Sequence, residues 1–182
     1  MVEANPGQHQ RTALLLGEGN FSYALARARL HLAKHSETKL RLVATSFDSE
    51  EALYKKYPES VQIHTKLREL HSQNDASLHV EIFHDVDATN IAQTLPAGFL
   101  GAQTTFDEIT FCHPHIGSED LRRNSALVAH YLASARSLNP KLIQVTLLES
   151  QYDRWQLSKV ERLNSVRLIR CDFIPTEAEE NK

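Results

Sequence analysis

The chain has 182 residues, 41% hydrophobic and 24% charged, with a formal net charge of −3, which is the size and composition of one domain with a substantial core and leaves no room for a second. Glu3 near the start and the lack of a long apolar run argue against a secretory leader, a membrane span or an acid-poor transit peptide. Cys112 and Cys171 are too few for a disulfide framework or a cysteine zinc site, so a reducing compartment is expected, with both thiols as core or site residues.

Strands and helices alternate along the chain. Residues 13–16 read as a strand and 23–35 as a helix whose N-cap is Asn20 or Ser22; residues 40–45 form a second strand. A helix over 50–57 stops at Pro58, a further helix runs through 67–70, and residues 78–83 and 106–111 are the third and fourth strands. Ser118 is expected to cap a long helix whose apolar positions Leu121, Leu127, Val128, Tyr131, Leu132 and Leu138 keep helical spacing, with Glu119 and Asp120 in its first turn. Residues 142–148 are apolar enough for a strand buried on both faces, 155–164 a helix, and 166–173 a final strand. This βαβ rhythm predicts an α/β, doubly wound, mostly parallel Rossmann-like sheet over residues 12–175, with residues 1–11 a flexible lead and 176–182 a polar tail.

The first strand breaks into Gly17-Glu18-Gly19-Asn20-Phe21-Ser22. Glycines here let backbone approach a ligand, and the helix that follows offers unpaired N–H groups to an anionic group. Ser22 stands where the third glycine of a dinucleotide fingerprint belongs, and Glu18 would oppose a pyrophosphate. An acidic loop suits a cationic ligand, and S-adenosylmethionine, with its ammonium and sulfonium charges and one carboxylate, fits better than NAD.

Ligands of such sheets sit beyond the carboxyl ends of the strands. After the second strand, Asp48 either accepts from both ribose hydroxyls or, with Ser49, caps the next helix. After the third, His84-Asp85-Val86-Asp87-Ala88-Thr89 offers a carboxylate to an adenine amino group, or a cap from Asp87 or Thr89. After the fourth, Cys112-His113-Pro114-His115 sets two imidazoles around a proline, able to act as a base, a stacking surface or metal ligands. No metal is expected, because His-x-His lacks a third fixed ligand and Asp85 and Asp87 already have a cofactor reading.

Charge is unevenly placed. Residues 71–120 carry eight Asp/Glu and no Lys/Arg, whereas 121–170 carry nine Lys/Arg against three Asp/Glu. Arg122, Arg123, Arg136, Arg154, Lys159 and Arg162 form either a track for a phosphate backbone or the solvated faces of helices.

These strand ends resemble the 25S rRNA (uridine-N3)-methyltransferase-like family, whose domain also occurs in proteins carrying a ferredoxin-fold anticodon-binding domain. Residues 15–22 resemble its L-x-G-E-G-[ND]-F-S opening and residues 44–49 its A-T-S-[YF]-D-S; Tyr57-Pro58 matches a Y-P, and residues 85–89 resemble its V-D-A-T segment. Residues 106–117 resemble F-D-x-I-x-F-N-F-P-H-x-G, Asn124 falls on the family's helix pattern, and Tyr152 with Trp155 resembles P-Y-x-x-W. Cys112 and His113 replace the family's Asn and Phe, and Gln151 replaces its proline. The family continues beyond the position of Phe173 with a tyrosine- and proline-containing stretch, so either the last antiparallel strand is missing or the chain is a shortened form.

The resemblance implies a class I methyltransferase using S-adenosylmethionine on rRNA uridine N3, with rRNA or a pre-ribosomal particle as partner, no membrane, and a nuclear or nucleolar location (alternatively cytoplasm or mitochondrion). The cofactor is expected on Gly17, Glu18, Gly19, Asn20, Phe21, Ser22, Asp48, Ser49, Asp85, Asp87 and Ala88. Methylating a ring nitrogen that bears hydrogen needs a base, for which His115 is the first candidate, with His113 beside it. The target base must leave its stack, and Tyr152, Trp155, Phe111 or His113 are candidates to receive it, with Cys112, Pro114, Arg122 and Arg123 also facing substrate; Trp155 is equally a core candidate. Two other classes stay open: a catalytically weakened RNA-binding assembly factor, favoured by Cys112, His113 and Gln151, and a nicotinamide oxidoreductase, disfavoured by Glu18 and Ser22.

Overall fold

Residues 13–16 are all fully buried, so the strand that holds them must be covered on both faces. In the computed structural model of the chain, which describes residues 10–34, 38–74, 76–101, 104–148, 150–167 and 169, that strand is the centre of a five-stranded sheet. The strands are β1 (Gln10–Leu16), β2 (Lys39–Thr45), β3 (Leu78–Phe83), β4 (Glu108–Cys112) and β5 (Leu142–Thr146), in the order β3-β2-β1-β4-β5. Every neighbouring pair is parallel, which gives the Rossmann-like arrangement expected of the βαβ rhythm.

Alternation along β1 sorts the two cores. Ala13 and Leu15 pack with Phe21, Leu25, Leu53 and Leu67 under α1 (Ser22–Ala33), α2 (Glu50–Lys56) and α3 (Ser60–Gln73). Leu14 and Leu16 pack with Ile91, Val128, Tyr131, Trp155 and Leu157 under α4 (Ile91–Thr94), α5 (Leu121–Ser137) and α7 (Leu157–Asn164). Between α5 and α7 lies one turn, α6 (Gln151–Arg154). Glu108, 1% exposed at the start of β4, is held by Arg11 at 2.8 Å and Arg27 at 2.9 Å, tying β4 to β1 and α1. Among the described residues no helix is long and apolar enough to cross a membrane.

Several expectations change. The N-cap of α5 is Asp120, whose carboxylate accepts from the N–H groups of Arg122 and Arg123, and not Ser118; the short side chain adjoining the first turn wins the capping bond. Leu121, expected on the buried stripe, is 41% exposed. β5 is not buried on both faces, because among the described residues it is the edge of the sheet, with Leu142 44% exposed and the other four residues half-buried. The helix expected over 155–164 is α7, which starts at Leu157 after Gln156 at φ of 52°, and the single turn α6 before it was not expected. Val166, Arg167 and Ile169 are not in a strand, and the rest of the expected strand at 166–173, Cys171 included, lies outside the described residues.

Candidate functional site

Because the strands are parallel and adjacent, the segments after β1, β2, β3 and β4 gather on one edge of the sheet. Gly17 stands at φ +66°, and a Cβ there would lie 2.4 Å from Cε2 of Phe111, so only glycine suits the first turn of the loop. Glu18 donates its N–H to Thr45 O at 2.9 Å, locking the loop to the end of β2. Its side chain is 4% exposed and turned under the first turn of α1, where Oε2 accepts the Ala24 N–H at 3.1 Å while Oε1 is buried without a partner. Burial pushes this carboxyl up to about 7, opposed by the Ala24 hydrogen bond.

The residue at the head of α1 is Phe21, at φ 65° and fully buried, where Asn20 or Ser22 was expected. Asn20 shapes the turn instead: its Oδ1 accepts the Ser22 N–H at 3.1 Å and its Nδ2 donates to Glu59 Oε1 at 3.1 Å. Gly19 lies against the Tyr57 ring, 3.7 Å from where a Cβ would stand.

At the end of β2, capping falls to Ser49, whose hydroxyl accepts the Ala52 N–H at 3.3 Å. Asp48 is thereby left to pair with Lys56 at 3.2 Å, its side chain 31% exposed. Beside it Phe47 is 68% exposed, an aromatic face at the ligand edge that the sequence reading passed over. After β3, Val86 N–H and Ser46 N–H tie the two strand ends together through Ser46 O and Phe83 O. Asp87 Oδ1 accepts from the N–H and hydroxyl of Thr89, both at 2.8 Å, which closes a turn, and the N-cap of α4 is Asn90 where Asp87 or Thr89 was the alternative. Asp85 is exposed at φ 58°, and Ala88 is buried in the α4–α5 core.

The loop after β4 is built by Asn124, 1% exposed on α5. Its Nδ2 donates to Ser118 O at 2.9 Å and Asp120 O at 3.0 Å, and its Oδ1 accepts the Ile116 N–H at 3.1 Å. On that frame His113 is exposed at φ 48°, Pro114 is buried, and His115 is exposed. His115 Nδ1 accepts the Gly117 N–H at 2.9 Å, so the neutral ring carries its proton on Nε2, which lies 3.8 Å from Glu119 Oε1. Glu119 in turn meets Arg154 at 3.3 Å, linking the loop to α6. In this arrangement the ring is a donor: the expected general-base role has no free lone pair, because Gly117 occupies Nδ1.

Other substrate candidates divide. Phe111 is 7% exposed, packed on Gly17 and edge-on to Tyr131 at 5.2 Å, and Trp155 is 3% exposed in the core, so neither ring is open to a stacked base. Tyr152 is half-buried, its hydroxyl donating to Glu161 at 3.0 Å. Cys112 is half-buried, and burial pushes its thiol up to about 12, so it stays protonated. Arg122 and Arg123 are exposed and form no ion pair among the described residues, whereas Arg154 is taken by Glu119.

A family model described as BMT5-like, rRNA (uridine-N3-)-methyltransferase BTM5-like, matches residues 14–176. The chain is also 31% identical, over 185 aligned positions, to the mouse ferredoxin-fold anticodon-binding domain-containing protein 1 homolog. That match takes in 91% of this chain and 27% of the relative, so the chain spans about a quarter of that protein's length. No solved structure matches it.

Proposed function

The chain belongs to the BMT5-like family, and from that premise we propose that it transfers a methyl group from S-adenosylmethionine to N3 of a uridine in rRNA. The observation that carries the proposal is Glu18, a buried carboxylate inside the glycine loop with one oxygen unpartnered and a pKa near neutrality. A buried anion lacking half its hydrogen bonds is costly, and a cation supplied by a ligand removes that cost. The donor set therefore fits an ammonium-bearing cofactor and opposes a pyrophosphate. When bound, that cofactor supplies an electrophilic methyl group.

The chain's own residues take the remaining tasks. Glu18 holds the ammonium, Asp48 exchanges Lys56 for ribose hydroxyls, and the open face of Phe47 receives adenine. Uridine N3 must lose its proton, which passes to solvent water, and the negative charge left behind spreads onto the flanking carbonyl oxygens until the methyl arrives. His115 Nε2–H donates to one of those oxygens and stabilises that charge, in the manner of an oxyanion donor. Arg122 and Arg123 sit in the first turn of α5, where a positive charge opposes the helix dipole, so their placement costs stability and suits contact with phosphate.

Calorimetry of the purified chain against S-adenosylmethionine, S-adenosylhomocysteine and NAD, followed by a tritiated-methyl assay on rRNA, tests the proposal. Binding of the first two, with label in uridine, is the expected result; NAD binding alone would overturn it. The assembly-factor reading draws on one observation, the commitment of His115 Nδ1 to Gly117, which takes the first candidate base of the loop out of that role. Cofactor and RNA binding without label would favour that reading.

A further inference from the structure

The sequence reading expects no metal, and the two histidines of the Pro114 loop are not where a metal set assembles. On the opposite flank of the glycine loop, one donor atom each from Glu50, His64 and His84 lies within 4.8 Å of the other two. These residues come from the first turn of α2, the middle of α3 and the position just after β3. We propose that they bind a divalent transition-metal ion of the zinc class.

Burial carries the inference. His64 is 0% exposed and its Nε2 has no partner; both ring nitrogens of His84 are likewise buried and unpartnered. The two rings stand 5.5 Å apart between centroids, so three orphaned imidazole nitrogens share one small region. An unsatisfied buried nitrogen is uncommon, and one ion between the two rings satisfies His64 Nε2 and one nitrogen of His84 together. Glu50, with its side chain 51% exposed, leaves the cluster open to solvent and supplies the negative charge a dication needs.

The surrounding hydrogen bonds set the tautomer. Tyr54 donates its hydroxyl proton to Glu50 Oε1 at 2.7 Å and lies 2.9 Å from His64 Nδ1. With the phenol proton spent on the carboxylate, His64 Nδ1–H must donate to the phenol oxygen, which leaves a bare lone pair on Nε2. A ligating imidazole held by its other nitrogen is the usual outer-shell arrangement of histidine metal sites. Two imidazoles and a carboxylate select zinc, cobalt or nickel over calcium or magnesium, which take all-oxygen sets. Tetrahedral zinc separates its ligand atoms by about 3.4 Å, given bond lengths near 2.0–2.1 Å, so the three groups must close slightly. The exposed Glu50 side chain is free to make that movement, and Arg68, 3.8 Å from Glu50 Oε1 and 63% exposed, is free to withdraw.

The site abuts the glycine loop. Phe21, held at φ 65° at the head of α1, stands edge-on to His64 at 4.4 Å and tilted to His84 at 5.8 Å. An ion here would pin the rings against which that residue rests, and with them the entry of α1.

The test uses the purified full chain after chelation, titrated with Co²⁺ and followed by visible ligand-field absorption, then by displacement with Zn²⁺. One equivalent of Co²⁺, displaced by Zn²⁺ with a rise in Tm, is expected. His84→Gln and Glu50→Gln should abolish the stoichiometric signal, and Tyr54→Phe should weaken it by roughly 10–100-fold as a lost outer-shell contact. Glu50 and Tyr54 are substituted at or near the surface, so these variants report even if a His64 variant fails to fold. The double variant His113→Gln/His115→Gln should bind Co²⁺ as the parent does. Failure of the parent to bind, indifference of His84→Gln and Glu50→Gln, or loss in the His113/His115 variant would each overturn the site.

Discussion

The ring of Phe111 occupies the space that a side chain on Gly17 would need, with Cε2 2.4 Å from the position of a Cβ. The pairing of Leu16 with Phe111 across β1 and β4 brings the two together, so the glycine is fixed by sheet register as well as by its φ of +66°. We expect Gly17→Ala to cost about 2–4 kcal/mol, part from the left-handed backbone and part from the overpacked contact. Urea unfolding measures it. Adding Phe111→Leu should return only the steric part, and full recovery would show that the backbone conformation is not strained.

Glu18 makes stability fall as pH rises. Burial raises its folded pKa to about 7 from the ordinary 4.5, so between those pH values the folded chain keeps a proton that the unfolded chain has lost. The stability lost across that window is on the order of 3 kcal/mol and does not return above pH 7. Glu18→Gln should therefore be the more stable protein at pH 8 and no better than the parent at pH 4.5, while binding S-adenosylmethionine more weakly. In the parent a cationic ligand should expel the proton, so calorimetry near pH 7 in two buffers of different ionisation enthalpy should give different apparent heats. Equal heats would detach Glu18 from the ligand.

Asp48 pairs with a lysine that a ribose would displace. Asp48→Ala should weaken cofactor binding by on the order of 1–3 kcal/mol, the cost of losing hydrogen bonds to a charged acceptor, with little change in unfolding free energy because the exposed ion pair contributes about 0–1 kcal/mol. Unchanged affinity in the folded variant would remove Asp48 from the site.

The sheet was legible because apolar runs of strand length alternate with helical spacing; the third strand has the same limits, 78–83, in both readings. What escaped depends on contacts distant in sequence. The burial of Glu18 and of the Phe111 ring follows from strand register, and the meeting of His64 with His84 requires α3 to lie beside the end of β3. α4 escaped because one turn carries too little periodicity to read, and β5 was misjudged because an edge strand and a central strand share the same apolar composition. Asn124 was noticed as a match to a pattern, but its three hydrogen bonds to the His115 loop follow only from where α5 begins.

Arg122 and Arg123 give opposite predictions for binding and stability. Replacing both by Glu puts negative charge in the first turn of α5, which should stabilise the helix by roughly 0.3–1 kcal/mol per residue. If these arginines contact phosphates, RNA affinity should fall, and the slope of log affinity against log salt should flatten by about 0.7 per lost contact on single strands. A more stable protein with the parent's salt slope would place the RNA elsewhere.

His115 separates two chemistries through the choice of substitute. In the proposed reaction the ring, with Nδ1 accepting from Gly117, would offer Nε2–H to the uridine carbonyl, and Gln can place an amide N–H in similar space whereas Ala cannot. His115→Ala should lower single-turnover methyl transfer by roughly 10²–10³, the usual effect of removing one oxyanion donor, with cofactor affinity unchanged. His115→Gln should keep most of the rate. A general base would behave otherwise: Gln and Ala would be equally poor, each losing roughly 10²–10⁴. A tritiated-methyl assay on rRNA across pH with both variants decides between them, and equal losses would mean that the loop releases Gly117 before the proton leaves N3.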